Sequence, residues 1–317
     1  MAGALAACLL LAGCSSLPPS DAGQPAAASE SRWLDATPRI AVVSAFAPEL
    51  ALLTSRLDHA RTYRVNGVQF SAGLLQGKPV LLFLSGVSMT NAAMNTQLAL
   101  DRFRVSHLVF SGIAGGVNPA LHIGDVAVPA QWGPYLEATM ARETAPGKFT
   151  PPAWQKDFTA PPFGMLYPRP VEVRSAAQPD LHKKFWFEVD PVLLDRARAL
   201  SDAVRLNRCA ATGTGGQTCL AHEPRLVVGG NGVSGSAFVD NKALREYAFR
   251  RFKTDVLDME TAAVGQVAYA NGVPFIAFRS LSDLAGGGEG ENEMDTFMKI
   301  AADNAAEVLL AFLGAWR

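Results

Sequence analysis

A three-layer α-β-α fold around a central mixed, mostly parallel sheet is predicted by three features of the sequence. Short β-branched or apolar runs alternate with segments whose apolar residues recur at helical spacing, the pattern of strands covered on both faces by helices. The chain has 317 residues and 49% hydrophobic content, enough to core one large α/β domain and far from a disordered composition. No repeat of fixed period is present, which excludes a solenoid. Lys and Arg number 28 against 29 Asp and Glu, for a net charge of −1. Sequence-independent nucleic-acid binding needs a positive excess, so no nucleic acid is expected as a partner.

The first residues stand outside this pattern. Residues 1–14 read MAGALAACLLLAGC, with an apolar run from Ala4 to Ala12. That run is shorter than the ~20 residues of a spanning helix and has the length of a secretory-signal core. Its ending, Leu11-Ala12-Gly13-Cys14, resembles a bacterial lipobox, which makes Cys14 the expected lipidated residue. An ordinary signal peptide with a coincidental Cys is the alternative, and no Lys or Arg precedes the run. Residues 15–37 are rich in Ser, Pro and Ala and read as a flexible tether. The folded domain is therefore expected over 38–317, exported and attached to a membrane only through a lipid anchor.

Within that domain the elements follow in order. Arg39 to Val43 is a β-branched run that reads as a strand, and Pro48 suits the first turn of a helix reaching Leu57. Phe70 to Leu75 and Pro79 to Leu84 read as two strands joined by a turn at Gln76-Gly77-Lys78. Thr90 to Arg104 has helical spacing. His107 to Phe110 reads as a buried strand ended by the turn Ser111-Gly112-Ile113-Ala114-Gly115-Gly116. Asp125 to Pro129, Leu226 to Gly229, Asp255 to Leu257 and Pro274 to Arg279 read as further strands, and Glu260 to Asn271 and Glu293 to Leu313 as helices. Functional groups are expected where the strands end.

Residues 130–190 interrupt the alternation with a concentration of Pro and Trp, including Trp132, Trp154 and Pro161-Pro162. They read as an insertion over the sheet, whose aromatic residues either line a pocket or pack the insertion itself. Cys209 and Cys219 bracket a loop with three Gly and three Thr. In an oxidising compartment a disulfide between them is expected. Free thiols, or a metal with His222 as the nearby ligand, are the alternatives. The five His residues form no metal-ligand spacing, so no metal is expected.

Three stretches together resemble the nucleoside phosphorylase and nucleosidase superfamily. They are Ile40 to Leu53 (IAVVSAFAPELALL), Phe110 to Val128 (FSGIAGGVNPALHIGDVAV) and Asp258 to Asp283 (DMETAAVGQVAYANGVPFIAFRSLSD), with a weaker match at Val233 to Val239 (VSGSAFV). They fall in the family's order and are most similar to its 5′-methylthioadenosine/S-adenosylhomocysteine nucleosidase branch. The resemblance implies a nucleoside phosphorylase-like fold, a purine nucleoside substrate, no cofactor and a homodimer.

Removing a purine from ribose gives the sugar oxocarbenium-ion character and requires a proton on the leaving base. One group must supply that proton while a carboxylate activates water. The resemblance assigns Asp283 to the proton at purine N7 and Glu49 to the water. It assigns Glu260 to the ribose hydroxyls, with Asp258 and Met259 beside it, Phe238 to stacking on the purine and the Val239 backbone to its edge. Ala114, Gly115 and Ser282 complete the expected substrate-binding positions. The family carries Glu-Met-Glu where this chain has Asp258-Met259-Glu260, so the shorter Asp258 is a departure. Taken without the resemblance, Glu49 is equally a carboxylate placed by the helix dipole, and Phe238 and Met259 are core residues.

Two rival functions share this fold. A phosphorylase needs cations for phosphate, yet neither Ser44-Ala45-Phe46-Ala47-Pro48-Glu49 nor Val109-Phe110-Ser111-Gly112 carries one, and Glu49 would repel the anion. A binding or storage protein would keep the pocket without needing a water-activating carboxylate. Hydrolysis of the N-glycosidic bond is the expected activity.

Overall fold

The uninterrupted apolar run from Ile40 to Val43 is buried between two parallel neighbours, as a central strand of an α/β sheet must be. The computed structural model describes residues 32–211 and 215–316. The signal-like segment, Cys14 and most of the expected tether lie outside the described residues.

The chain begins with β1 (Asp35–Ser44), α1 (Ala47–Ser55), β2 (Asp58–Val65), β3 (Val68–Leu75), β4 (Lys78–Leu84), α2 (Met89–Arg102) and β5 (Phe103–Gly116). Next come β6 (Val126–Val128), β7 (Gln131–Gly133), β8 (Ala138–Met140), β9 (Arg142–Ala145), β10 (Lys148–Thr150), β11 (Leu166–Pro168), β12 (Val171–Val173), β13 (His182–Lys184) and β14 (Phe187–Glu188). Then follow α3 (Pro191–Arg198), β15 (Cys209–Ala211), β16 (Gln217–Cys219), β17 (Leu226–Val228), β18 (Asn231–Ser234) and α4 (Lys242–Phe252). The last elements are β19 (Thr254–Asp258), α5 (Thr261–Asn271), β20 (Phe275–Asp283) and α6 (Met294–Gly314).

The central sheet runs β14-β7-β18-β19-β5-β1-β4-β3-β2, with β20 joining β5 to β6 and β17 beyond β6. β1, β4, β5 and β20 are mutually parallel. β19 meets β5 antiparallel, and β2 to β4 form an antiparallel margin. Helices α1 and α6 pack together, as do α2 and α5, and the pairs flank the sheet. All nine residues of β20 are buried, so this strand is the spine of the molecule.

Several sequence expectations are corrected. The Gly-rich run Ser111 to Gly116 is not a turn: β5 continues through it, paired with β20 on one side and β19 on the other. Strand β1 starts at Asp35, three residues inside the expected tether. Strand β20 extends to Asp283, which is its last residue and not a loop position. Strand β2 has an exposed, charged sequence that burial-based reading passes over. The two ends of the 130–190 segment, β7 and β14, belong to the central sheet, and only the part between them lies outside it. Trp132 in β7 is fully buried, whereas Trp154 is exposed and lines a separate surface cleft. Cys209 and Cys219 face each other across the β15–β16 hairpin and form a disulfide.

Candidate active site

The ends of β1, β5, β19 and β20, with the first turns of α1 and α5, enclose a cavity of about 230 Å³. The catalytic and substrate-binding positions expected from sequence all line it: Glu49, Ala114, Gly115, Phe238, Val239, Asp258, Met259, Glu260, Ser282 and Asp283. Because β1, β5 and β20 are parallel, their carboxyl ends open on one edge, where a doubly covered sheet presents side chains.

Glu49 is the third residue of α1, and its side chain turns back beneath the helix start. Its Oε2 accepts from the amides of Ala45 at 2.6 Å and Phe46 at 3.4 Å, and its Oε1 from the amide of Ile113 at 2.7 Å. Arg279 Nη1 lies 3.4 Å from Oε1. Burial pushes the Glu49 pKa up to about 7, against the pull of Arg279 and the Ile113 amide. A carboxylate poised there can take a proton from water at neutral pH.

Asp283 ends β20 on another side of the cavity. Its Oδ1 accepts from the Ala285 amide at 2.8 Å and from Asn292 Nδ2 at 3.4 Å, and its Oδ2 from Ser282 Oγ at 2.9 Å. Burial raises its pKa above the ordinary Asp value, against the pull of the Ala285 amide, Ser282 and Asn292.

Beside Glu49 stands a buried charge cluster built on Arg279. Its Nε donates to Asp258 Oδ2 at 2.7 Å and Thr261 Oγ1 at 3.0 Å, and its Nη2 to Glu260 Oε2 at 3.0 Å. The guanidinium lies 4.2 Å from the centroid of the Phe110 ring. Burial disfavours its charge, but Asp258, Glu49 and Glu260 outweigh that and raise its pKa. Gly112 is required by this packing: a methyl group there would overlap both Glu49 Oε1 and Arg279 Nη1. The glycine is needed for close approach and not for a turn.

Asp258 departs from its expected role. Its carboxylate lines the cavity but accepts from Ser234 Oγ, the amides of Glu260 and Thr261, Thr261 Oγ1 and Arg279. Those donors saturate it, so it caps α5 and clamps Arg279 and has no lone pair left for a ribose hydroxyl. Glu260 keeps spare acceptor capacity, with one donor on each oxygen: the Ser88 amide on Oε1 at 2.9 Å and Arg279 on Oε2. Phe238 is 55% exposed at the cavity edge, which is not a core position. Met259 is half-buried and Val239 buried in the wall. Among the described residues, no Lys or Arg side chain lines the wall.

A family model described as the phosphorylase superfamily matches residues 39–314. The chain belongs to that superfamily. One relative, the 5′-methylthioadenosine/S-adenosylhomocysteine nucleosidase of Halalkalibacterium halodurans, is 28% identical over 277 residues, covering 87% of this chain and 98% of the relative. The Neisseria meningitidis nucleosidase of the same name, solved with methylthio-immucillin-A, aligns with a TM-score of 0.64 at 20% identity, over 88% of this chain and 100% of that one. Futalosine hydrolase of Helicobacter pylori aligns with the same TM-score and identity, over 88% of this chain and 98% of that one. Both structures share the fold of this chain.

Arg279 is the site residue that sequence reasoning missed. The available signal was a lone cation directly after the apolar run Phe275 to Phe278 of a buried strand, which survives only if paired. Ser88, Ser234, Thr261 and Asn292 were also missed; Ser88 and Ser234 act on carboxylates 172 and 24 residues away. Among the described residues no group of three or more His, Cys, Asp or Glu is arranged to hold a metal ion.

Proposed function

We propose that this protein hydrolyses the N-glycosidic bond of a purine nucleoside of the 5′-methylthioadenosine/S-adenosylhomocysteine kind and releases the free base. The observation that carries this reading is a single cavity with Glu49 poised near neutrality on one wall, a buried Asp283 on another and, among the described residues, no cation in the lining to hold phosphate. The nucleosidase relatives support the same substrate class.

In the proposed reaction a water oxygen adds to C1′ while Glu49 accepts one of its protons. The C1′–N9 electron pair leaves with the purine, and the proton on Asp283 passes to N7. Glu260 accepts the ribose 2′- and 3′-hydroxyls, and its charge stabilises the sugar cation that develops. Phe238 stacks on the base. Export with lipidation at Cys14 is part of the proposal, supported by the Leu11–Cys14 ending and the Cys209–Cys219 bridge. A homodimer is the assembly implied by family resemblance, and the mass in solution tests it.

The deciding experiment mixes the protein from Ser15 onward with methylthioadenosine, adenosylhomocysteine, adenosine and inosine, with and without phosphate. Free base and free sugar at rates independent of phosphate are expected. Sugar 1-phosphate formed only with phosphate would replace hydrolysis by phosphorolysis, and binding without base release would mark a nucleoside-binding protein.

A further inference from the structure

The turn from β4 into α2 holds one residue in a conformation that is normally reserved for glycine. Ser88 has φ 92° and ψ 154°. A Cβ crowds the backbone there, so a non-glycine residue keeps this conformation only where its surroundings over-determine it, and such outliers gather at functional sites. One hydrogen bond shows what the conformation accomplishes: the Ser88 amide donates to Glu260 Oε1 at 2.9 Å, across 172 residues of sequence.

The surroundings fit this contact. Ser88 is the N-cap of α2 and accepts from the Ala92 amide at 2.9 Å, so the positive end of that helix stands behind its N–H. The first turn of α2 contains no acidic residue to compete for it. Glu260 is itself the N-cap of α5, which packs on α2, and Val87 beside Ser88 lines the cavity. Arg279 is shared among Glu49, Asp258 and Glu260, so one guanidinium faces three carboxylates. Burial raises the pKa of Glu260, and the Ser88 amide and Arg279 act against that rise.

We propose that Ser88 is a positioning residue for ribose recognition: its strained turn aims the backbone amide at Glu260 and fixes that carboxylate to accept the sugar hydroxyls. This rests on the nucleosidase reading above. The role belongs to the peptide N–H and the conformation, and the Ser88 hydroxyl is not required. Stability and specificity should therefore respond differently to substitution at this position.

The test compares wild type, S88G and S88V by thermal unfolding and by the kcat/KM ratio between methylthioadenosine and its 2′-deoxy counterpart. Comparing the ratio across variants cancels the intrinsic lability of the deoxy bond. Glycine relieves the strain while leaving the amide in place, so S88G should raise Tm by about 2–4 °C with the ratio maintained. Valine is still less tolerant of this conformation and should relax the turn, withdrawing the amide and lowering the ratio about tenfold. If S88V does not fold, an amide-to-ester replacement at position 88 removes the N–H alone and should give the same loss. An unchanged ratio in S88V or in the ester, or a lower Tm in S88G, would overturn the proposal. Absence of base release by wild type would instead overturn the hydrolase reading, and the ratio of Kd values for the two nucleosides would then test Ser88.

Discussion

Glu49 is the residue on which activity and stability make opposite demands. To take a proton from water it must be ionised, so kcat/KM should fall as pH drops through about 7, with the slope of one proton. Asp283→Asn removes the proton for N7 and should lower kcat by a comparable factor to Glu49→Gln. Glu49→Gln should lower kcat about a thousandfold with KM little changed, because binding contacts remain. Near-normal turnover in the Gln variant would take the water-activating role away from this residue. Stability runs the other way. The Glu49 pKa is raised in the folded state from 4.5 to about 7, so the protonated form contributes stability that is complete below 4.5 and lost as pH rises through about 7. The loss is on the order of 3 kcal/mol, and Glu260 and Asp283, also raised by burial, add in the same direction. Urea midpoints should therefore decline across that window while kcat/KM climbs. Parallel rather than opposed trends would mean that Glu49 is not the buried group being titrated.

At the scale of elements, the site depends on how closely β5 and β20 approach the start of α1. Gly112→Ala places a methyl group against Glu49 Oε1 and Arg279 Nη1, neither of which can retreat from its partners. A loss of about 1–3 kcal/mol in stability is expected, with a fall in kcat/KM larger than stability alone explains. A Gly112→Ala enzyme with wild-type kinetics would show that the Glu49–Arg279 contact is dispensable. The same strand shows what the sequence could and could not reveal. β1 and β20 were legible because buried parallel strands are written as continuous apolar runs. The extension of β5 through Gly116 was not, because glycine signals a turn and nothing local records that two strands and a carboxylate need the space. β2 escaped because an exposed edge strand is defined by its partner and not by its burial. Glu49, Glu260 and Asp283 were visible only as part of a family pattern. Arg279 was visible as an anomaly, and Asp258 changed its meaning once its donors were seen.

At the scale of the whole molecule, the disulfide hairpin lies outside the central sheet and reaches the strand that carries Asp283 indirectly, through Leu220 and Gly124. Leu220, just after Cys219, packs so closely on Gly124 that a methyl group at 124 would overlap it. The Gly124 amide donates to Leu281 O at 2.8 Å, and the Leu281 amide to Asp125 O at 2.9 Å, two residues before Asp283. The bridge spans a sequence separation of 10, for which loop-closure entropy in the unfolded chain gives about 3 kcal/mol. If the hairpin unfolds together with the sheet, a Cys209→Ser, Cys219→Ser double variant should lose about 6–10 °C in Tm. The pairing of β20 with β6 does not run through the hairpin, so kcat at 25 °C should remain near the wild-type value. Reductant should reproduce both results in the wild-type protein and change neither in the double variant. An unchanged Tm would mean that the hairpin opens separately from the sheet. A large loss of kcat at 25 °C would mean that the Leu220–Gly124–Leu281 contacts hold Asp283 in place, and the bridge would then be part of the catalytic support rather than of stability alone.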